Sequence, residues 1–269
     1  MIAIIDYDAG NIKSVEKAML LLGQQVEITR DRERILCADK VILPGVGAFG
    51  DAMDKIRQYG LYDVIHEVVE KKTPFLGICL GLQLLFERSD ETPGVEGLGI
   101  LKGEILRIPD KEGLKIPHMG WNSLEFPRKG RLFQGLPENP YVYFVHSYYL
   151  KAAEEEIVTA VTQYSTLIHA SVEKDNVFAC QFHPEKSSDT GRSRAAIASP
   201  SQKGRVAGRK KRRTSQPRKS KLPTARAIAI NLSAAFIPFP PSPFQYLVSI
   251  SVPEEPEGMK EKYFPGKTS

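Results

Sequence analysis

At 269 residues, with 42% hydrophobic and 26% charged residues, the chain has enough apolar content for a packed core and is excluded from the fibrous and wholly disordered classes. Its net charge of +5 is unevenly placed. Residues 1–189 carry 21 Lys and Arg against 28 Asp and Glu, and residues 190–269 carry 16 against 4, so the basic balance belongs to the tail and excludes a uniformly cationic fold.

In chain order, the opening Met1-Ile2-Ala3-Ile4-Ile5-Asp6-Tyr7 predicts a buried strand over residues 2–6. A helix is expected from Asn11 to Leu22, strands at Val26–Thr29 and Lys40–Leu43, and helices at Gly50–Tyr59 and Leu61–Lys71. A strand follows at Thr73–Ile78 and a helix at Leu80–Glu87. Such alternation predicts an α/β core, a mostly parallel sheet with helices on both faces. Beyond Gly99 the pattern turns to short strands at Ile100–Ile108, Asn122–Phe126, Tyr141–Tyr149, Ile157–Tyr164 and Val177–Phe182, a small antiparallel extension.

Gly77-Ile78-Cys79-Leu80-Gly81 places a cysteine between two glycines where a predicted strand meets a predicted helix. That is the spacing of a nucleophile elbow, with cysteine in the serine position. The glycines are expected to permit a tight turn and close approach of substrate to the backbone, and the helix N-terminus to lower the thiol pKa and offer N–H donors to an oxyanion. An arbitrary cysteine is more often a small buried hydrophobe; the flanking glycines favour the nucleophile.

Gln181-Phe182-His183-Pro184-Glu185 supplies a base and its orienter. Proline pushes His183 out of helical geometry, so the side chains of His183 and Glu185 are expected on one face of an extended segment. Cys79, His183 and Glu185 then have the logic of nucleophile, base and orienter. His66 and His169 read as surface or packing residues, and His118 and His146 as either packing or functional.

Cys37, Cys79 and Cys180 lack paired or metal-type spacing, which fits free thiols in a reducing, cytoplasmic compartment. Cys180 with His183 makes a weak metal pair, so no metal or cofactor is expected. The N-terminus lacks a basic region before its short apolar run, and no stretch reaches the roughly twenty apolar residues that cross a bilayer. In Pro44-Gly45-Val46-Gly47-Ala48-Phe49-Gly50 the glycine spacing lacks a nucleotide-binding signature, and an oxyanion loop at the same sheet edge as the elbow is the preferred reading.

Those three segments, with Leu82-Gln83-Leu84-Leu85-Phe86 after the elbow and Lys186-Ser187 after Glu185, resemble class I glutamine amidotransferases. Pro117-His118-Met119-Gly120-Trp121-Asn122, Tyr143-Phe144-Val145-His146-Ser147-Tyr148 and the opening Asp6-Tyr7 with Gly10-Asn11 narrow the resemblance to the glutaminase subunits of imidazole glycerol phosphate synthase, over residues 1 to about 189. The resemblance implies a flavodoxin-like α/β fold and hydrolysis of L-glutamine, with ammonia passed to a (β/α)₈-barrel cyclase subunit in a heterodimer of histidine biosynthesis. It implies Cys79 as nucleophile, His183 as acid and base, and Glu185 as its holder. Gly47, Gln83, Glu91, Ser147 and Tyr148 would contact glutamine. N–H groups of Val46 or Gly47 and of Leu80 would form the oxyanion hole, and Asn11 and the segment His118 to Asn122 would face the cyclase. Trp121 reads equally well as a core aromatic.

After Gly191 the family pattern of one closing amphipathic helix gives way to Lys/Arg/Ser/Pro-rich sequence with no acidic residue between Thr190 and Pro253. Residues 1–189 are therefore read as the amidotransferase domain. Residues 190–269 are read as a basic, Pro- and Ser-rich tail, disordered by composition, with a reading-frame shift near residue 190 as the working hypothesis. The coding DNA checks this: no alternative frame encoding an amphipathic helix would sink it. Two other readings stay open on the residues alone, a partner-independent cysteine hydrolase of the same fold and a nucleic-acid binder using Lys210-Lys211-Arg212-Arg213.

Overall fold

The computed structural model describes residues 1–187. The boundary expected at residue 189, the basic tail and its frame hypothesis lie outside the described residues. The first half runs β1 (Ile2–Ile5), α1 (Ile12–Leu21), β2 (Val26–Thr29), α2 (Arg32–Leu36), β3 (Lys40–Leu43), α3 (Phe49–Gln58), α4 (Leu61–Glu70), β4 (Phe75–Ile78) and α5 (Leu80–Leu84). The second half is strand-rich: β5 (Arg88–Ser89), β6 (Gly103–Arg107), β7 (His118–Ser123), β8 (Tyr141–His146), β9 (Tyr148–Ala152), β10 (Val158–Gln163), β11 (Leu167–Lys174) and β12 (Val177–Cys180).

The central sheet has the order β10-β11-β12-β4-β3-β1-β2. From β12 to β2 all neighbours are parallel, and β10 and β11 join antiparallel at the β12 side. Apolar residues on both faces of each parallel strand account for the nearly unbroken Ile2–Ile5 and Phe75–Ile78 runs, all buried. One face packs against Ile35, Met53, Ile65 and Leu82 from α2 to α5, and the other against Ile12, Val15 and Met19 of α1 with Phe144 of β8. The strand order reverses between β3 and β1, and the C-terminal ends of β1, β3, β4 and β12 open onto that side, where α/β sheets carry their sites. No helix among the described residues is long and apolar enough to cross a membrane.

The expected elements are found with these corrections. The strand expected at Asn122–Phe126 lies earlier, at His118–Ser123, because it pairs there with β8, and Glu125 makes only an isolated bridge to Val161. The strand expected over Tyr141–Tyr149 is two, because β8 pairs with β7 in a two-stranded sheet while β9 pairs with β6 in a separate three-stranded one. The antiparallel extension is therefore split between the edge of the main sheet and these two small sheets. The last predicted strand, β12, is a core strand paired parallel to β4. The helix expected to Glu87 stops at Leu84, because Leu85 and Phe86 turn back on Leu82 and Gln83 with tighter i to i−3 bonds. α2, capped by Asp31, β5 and β11 have no counterpart among the expected elements.

Candidate active site

Cys79 follows β4 with φ 56° and ψ −108°, the strained bend of a nucleophile elbow. Its N–H donates to Cys180 O at 2.8 Å, so the bend is tied to β12. The glycines act differently from expectation. A Cβ on Gly77 would lie 2.6 Å from Gly81 O, and one on Gly81 would lie 1.9 Å from Leu43 O. They let α5 cross β3 and β4 backbone to backbone.

The helix N-terminus is also a weaker donor than expected. α5 has five residues; Leu80 N–H donates to Gly45 O at 3.3 Å, and Leu82 and Gln83 N–H both donate to Cys79 O. The Leu80 donor expected in an oxyanion hole is thus engaged by the neighbouring loop.

β12 carries the chain from Cys180 through Gln181 to His183, beside the elbow. His183 is extended, but Pro184–Lys186 forms a 3₁₀ turn with proline in its first turn, so the expected continuous extended segment is corrected. The turn closes His183 Nδ1 onto Glu185 Oε1 at 2.8 Å with both side chains buried. Asn11, the left-handed residue before α1, donates Nδ2 to the same oxygen at 3.0 Å, which places it behind Glu185. The second ring nitrogen of His183 is buried without a hydrogen bond. Burial pulls the His183 pKa down, but Cys79 and Glu185 outweigh it and raise the value to about 9.

The loop after β3 lies over the elbow. Tyr7 donates to Pro44 O at 2.8 Å, and Gly45 is wedged against Tyr7 and Leu80, where a Cβ would come within 2.3 Å of the Tyr7 oxygen. Val46 is partly exposed, and Gly47 has φ 114°, a conformation that favours glycine. Glu91 accepts from Phe49 N–H at 2.8 Å and Thr92 from Gly50 N–H at 3.2 Å, so both cap α3 just beyond Gly47. Ser147 sits at the β8–β9 junction, its carbonyl accepting from Ile108 N–H at 2.9 Å.

Gln83 is buried and donates Nε2 to Tyr148 O and to Gln181 Oε1, each at 3.1 Å. Gln181, fully buried, places Nε2 3.7 Å from Cys79 Sγ. Sequence reasoning assigned Gln181 no role. The signal was available: in an extended run it shares a face with His183, two residues on.

The segment expected to face a partner is divided. His118 is 3% exposed, stacked between Phe144 and Tyr164, while Met119 is 62% exposed and Trp121 is half-buried against Tyr143. Alternation along β7 turns His118 and Asn122 inward, so the outward face narrows to Met119 and Trp121. His118 Nδ1 meets His146 Nε2 at 3.0 Å, and His146 Nδ1 donates to Tyr148 O at 2.8 Å. Burial, with His146 beside it, lowers His118 to about 3; burial, opposed by the Tyr148 carbonyl, lowers His146 to about 4.

These shifts have opposite consequences for stability. His183, raised above its ordinary 6.5, contributes stability that is full below that pH and lost as pH rises through about 9. His118 and His146, held below theirs, contribute stability that is present above pH 6.5 and lost as pH falls. Urea unfolding is therefore expected to give a maximum near pH 6.5 to 7, with about 2 kcal/mol lost by pH 8.5 through His183. The buried Cys180 thiol, also pushed up, adds a loss of the same sign only at higher pH. His183→Gln should flatten the alkaline limb and leave the acid limb; an unchanged alkaline limb would refute the assignment.

Residues 3–197 match the family model described as glutamine amidotransferase class-I. The chain belongs to the class-I glutamine amidotransferase family. Within it, the imidazole glycerol phosphate synthase subunit HisH of Moorella thermoacetica is 54% identical over 190 residues, 71% of this chain and 90% of that protein. HisH 1 of Methanococcus maripaludis is 48% identical over 195 residues, 71% of this chain and 95% of that protein. Among solved structures, one titled crystal structure of glutamine amidotransferase aligns with a TM-score of 0.56 at 22% identity, over 72% of this chain and 96% of that one. PurLQS from Thermotoga maritima aligns at 0.54 and 20%, over 69% and 88%. These structures bear on the fold alone.

Proposed function

We propose that the chain is the glutaminase subunit of an imidazole glycerol phosphate synthase, hydrolysing L-glutamine to glutamate and ammonia for a cyclase subunit of (β/α)₈-barrel fold. The observation that carries this reading is the buried His183–Glu185 pair, 2.8 Å apart, beside an elbow cysteine. Identity of about half to HisH subunits over nine-tenths or more of their length supports the partnered enzyme over a free-standing hydrolase.

In this reading the Cys79 sulfur attacks the side-chain amide carbon, and His183 protonates the departing ammonia. A thioester to Cys79 remains; His183 then takes a proton from water, whose oxygen displaces the sulfur to release glutamate. Glu185 orients the ring and stabilises its charged form. Both N–H bonds of Gln83 are engaged, so it would meet glutamine through Oε1, as acceptor to the α-ammonium group. Glu91, Ser147 and Tyr148 would complete that pocket. Val46 or Gly47 N–H would join Leu80 N–H in the oxyanion hole, provided Leu80 leaves Gly45 O. Met119 and Trp121 would face the cyclase, with Asn11 behind Glu185.

Glutamine turnover by the full chain, alone and with a cyclase subunit holding its ribotide ligand, tests this. Stimulation of at least about 100-fold by the liganded partner is expected, a coupling of about 3 kcal/mol. Peptide cleavage indifferent to the partner would overturn it.

A further inference from the structure

Cys79 needs hydrogen-bond donors if its sulfur is to carry charge in a buried site, and the short α5 supplies few, because the N–H groups of Leu80, Leu82 and Gln83 are taken. We infer that Gln181 is the thiolate-stabilising donor of this site, its carboxamide N–H aimed at Cys79 Sγ by a relay whose direction a single backbone carbonyl dictates. This rests on the reading that Cys79 is the nucleophile.

Tyr148 O, a backbone carbonyl, can only accept. Gln83 lies 3.1 Å from it through Nε2, so the Gln83 amide must present its NH₂ group there. The other hydrogen of that NH₂ group meets Gln181 at 3.1 Å, where only Oε1 can receive it. Gln181 is thereby left with Nε2 toward Sγ, 3.7 Å away. Turning Gln181 over would set two NH₂ groups face to face and a carbonyl oxygen against the sulfur. Turning Gln83 over would set two carbonyl oxygens together. Neither amide has room for compromise, since both side chains are buried.

The carbonyl is itself held. His146 Nδ1–H donates to Tyr148 O at 2.8 Å, and its Nε2 then accepts from His118 Nδ1–H at 3.0 Å, which fixes one neutral tautomer for each ring. From the other side, Gln181 N–H donates to Ala170 O of β11 at 2.9 Å, anchoring the residue's backbone. The ionisable groups around the thiol are Tyr7 from the end of β1, Cys180 from β12 and His183 from the following turn, with Glu185 behind it. Burial keeps the Tyr7 hydroxyl and the Cys180 thiol protonated, so neither adds a negative charge beside Cys79. Gln181 thus gives the sulfur a neutral, fixed dipole that His183 cannot give, because His183 must exchange its proton during the reaction. Gln83 is the positioning residue for that dipole.

The test is the pH dependence of Cys79 alkylation by iodoacetamide in the full chain, read by mass spectrometry of the Cys79 peptide. Gln181→Met keeps the volume and removes the donor; Gln181→Glu keeps the acceptor and sets a carboxylate toward the sulfur. The alkylation midpoint is expected to rise by about one pH unit for Gln181→Met, a tenfold loss of thiolate below the midpoint, and further for Gln181→Glu. With the liganded cyclase, kcat should fall about tenfold in Gln181→Met while KM for glutamine stays within about twofold. Should a variant fail to fold, the unmodified chain still decides: the Gln181 side-chain amide signal in ¹⁵N spectra should move with the alkylation midpoint and stay still in Cys79→Ala. Coincident midpoints in folded variants, or a Gln181 signal indifferent to pH, would overturn the inference. Shifted alkylation in a chain without glutaminase activity would remove the proposed function and keep the thiolate donor; activity with unshifted alkylation would do the reverse.

Discussion

Cys79→Ser is expected to lower partner-stimulated glutamine hydrolysis by at least about 10⁴-fold, with the chain still folded and unfolding cooperatively. Serine fits the same bend, because the strain at φ 56° belongs to the backbone position and is borne equally by either side chain. A hydroxyl is a far weaker nucleophile than a thiol, so the proposed attack on glutamine is lost while the packing survives. The substitution carries a second readout. Cys79 stands ahead of Glu185 among the groups that raise His183, so without it the His183 pKa should fall and the alkaline loss of stability between pH 6.5 and 8.5 should shrink. Glutamate release measured by a coupled assay, with urea unfolding at the two pH values, checks both. Retained turnover above about 1% of wild type would remove Cys79 from the chemistry.

Gly81→Ala is expected to cost more in folding than any other single methyl group added near the site. Alanine is the better helix former by about 1 kcal/mol, so propensity alone favours the change. The added Cβ would stand 1.9 Å from Leu43 O and 2.9 Å from the Leu43 carbonyl carbon, and these are backbone atoms of β3. β3 cannot give way, because it is paired on one side with β1 and on the other with β4. A destabilisation of at least about 4 kcal/mol follows, a large part of the 5 to 15 kcal/mol that typically holds a domain together. Gly47→Ala is the control: nothing lies within 4 Å of its Cβ position, and its φ of 114° leaves only backbone strain of about 1 to 2 kcal/mol. Thermal unfolding of the two variants should separate them clearly. A Gly81→Ala protein melting close to wild type would mean that α5 does not cross β3 as described.

Much of the site was legible because its signals are local. Alternating apolar runs and helical spacings mark β1 to α5, and a cysteine between glycines at a strand-to-helix junction specifies a strained bend whatever surrounds it. Pro184 likewise marks His183 as extended and pairs it with Glu185, though the 3₁₀ turn that folds Glu185 back onto the ring was not expected. Other features were not legible. His118 reads as either packing or functional from its motif, and the choice is made by β7 pairing with β8 in a register that buries His118 opposite His146. One strand became two at Ser147 because β8 and β9 found different partners.

The amino-acid order by itself determined the class of fold and singled out the proposed nucleophile and base, since torsional preference and periodicity act over a few residues. Only the tertiary structure decided which strand lies beside which. Placing β12 against β4 brings Gln181 to the sulfur across 102 positions of chain, and the Tyr148 carbonyl then chooses which end of that amide points there. Strand order and hydrogen-bond polarity are properties of the assembled core, where each buried donor must find its acceptor, and no local stretch of sequence contains both partners.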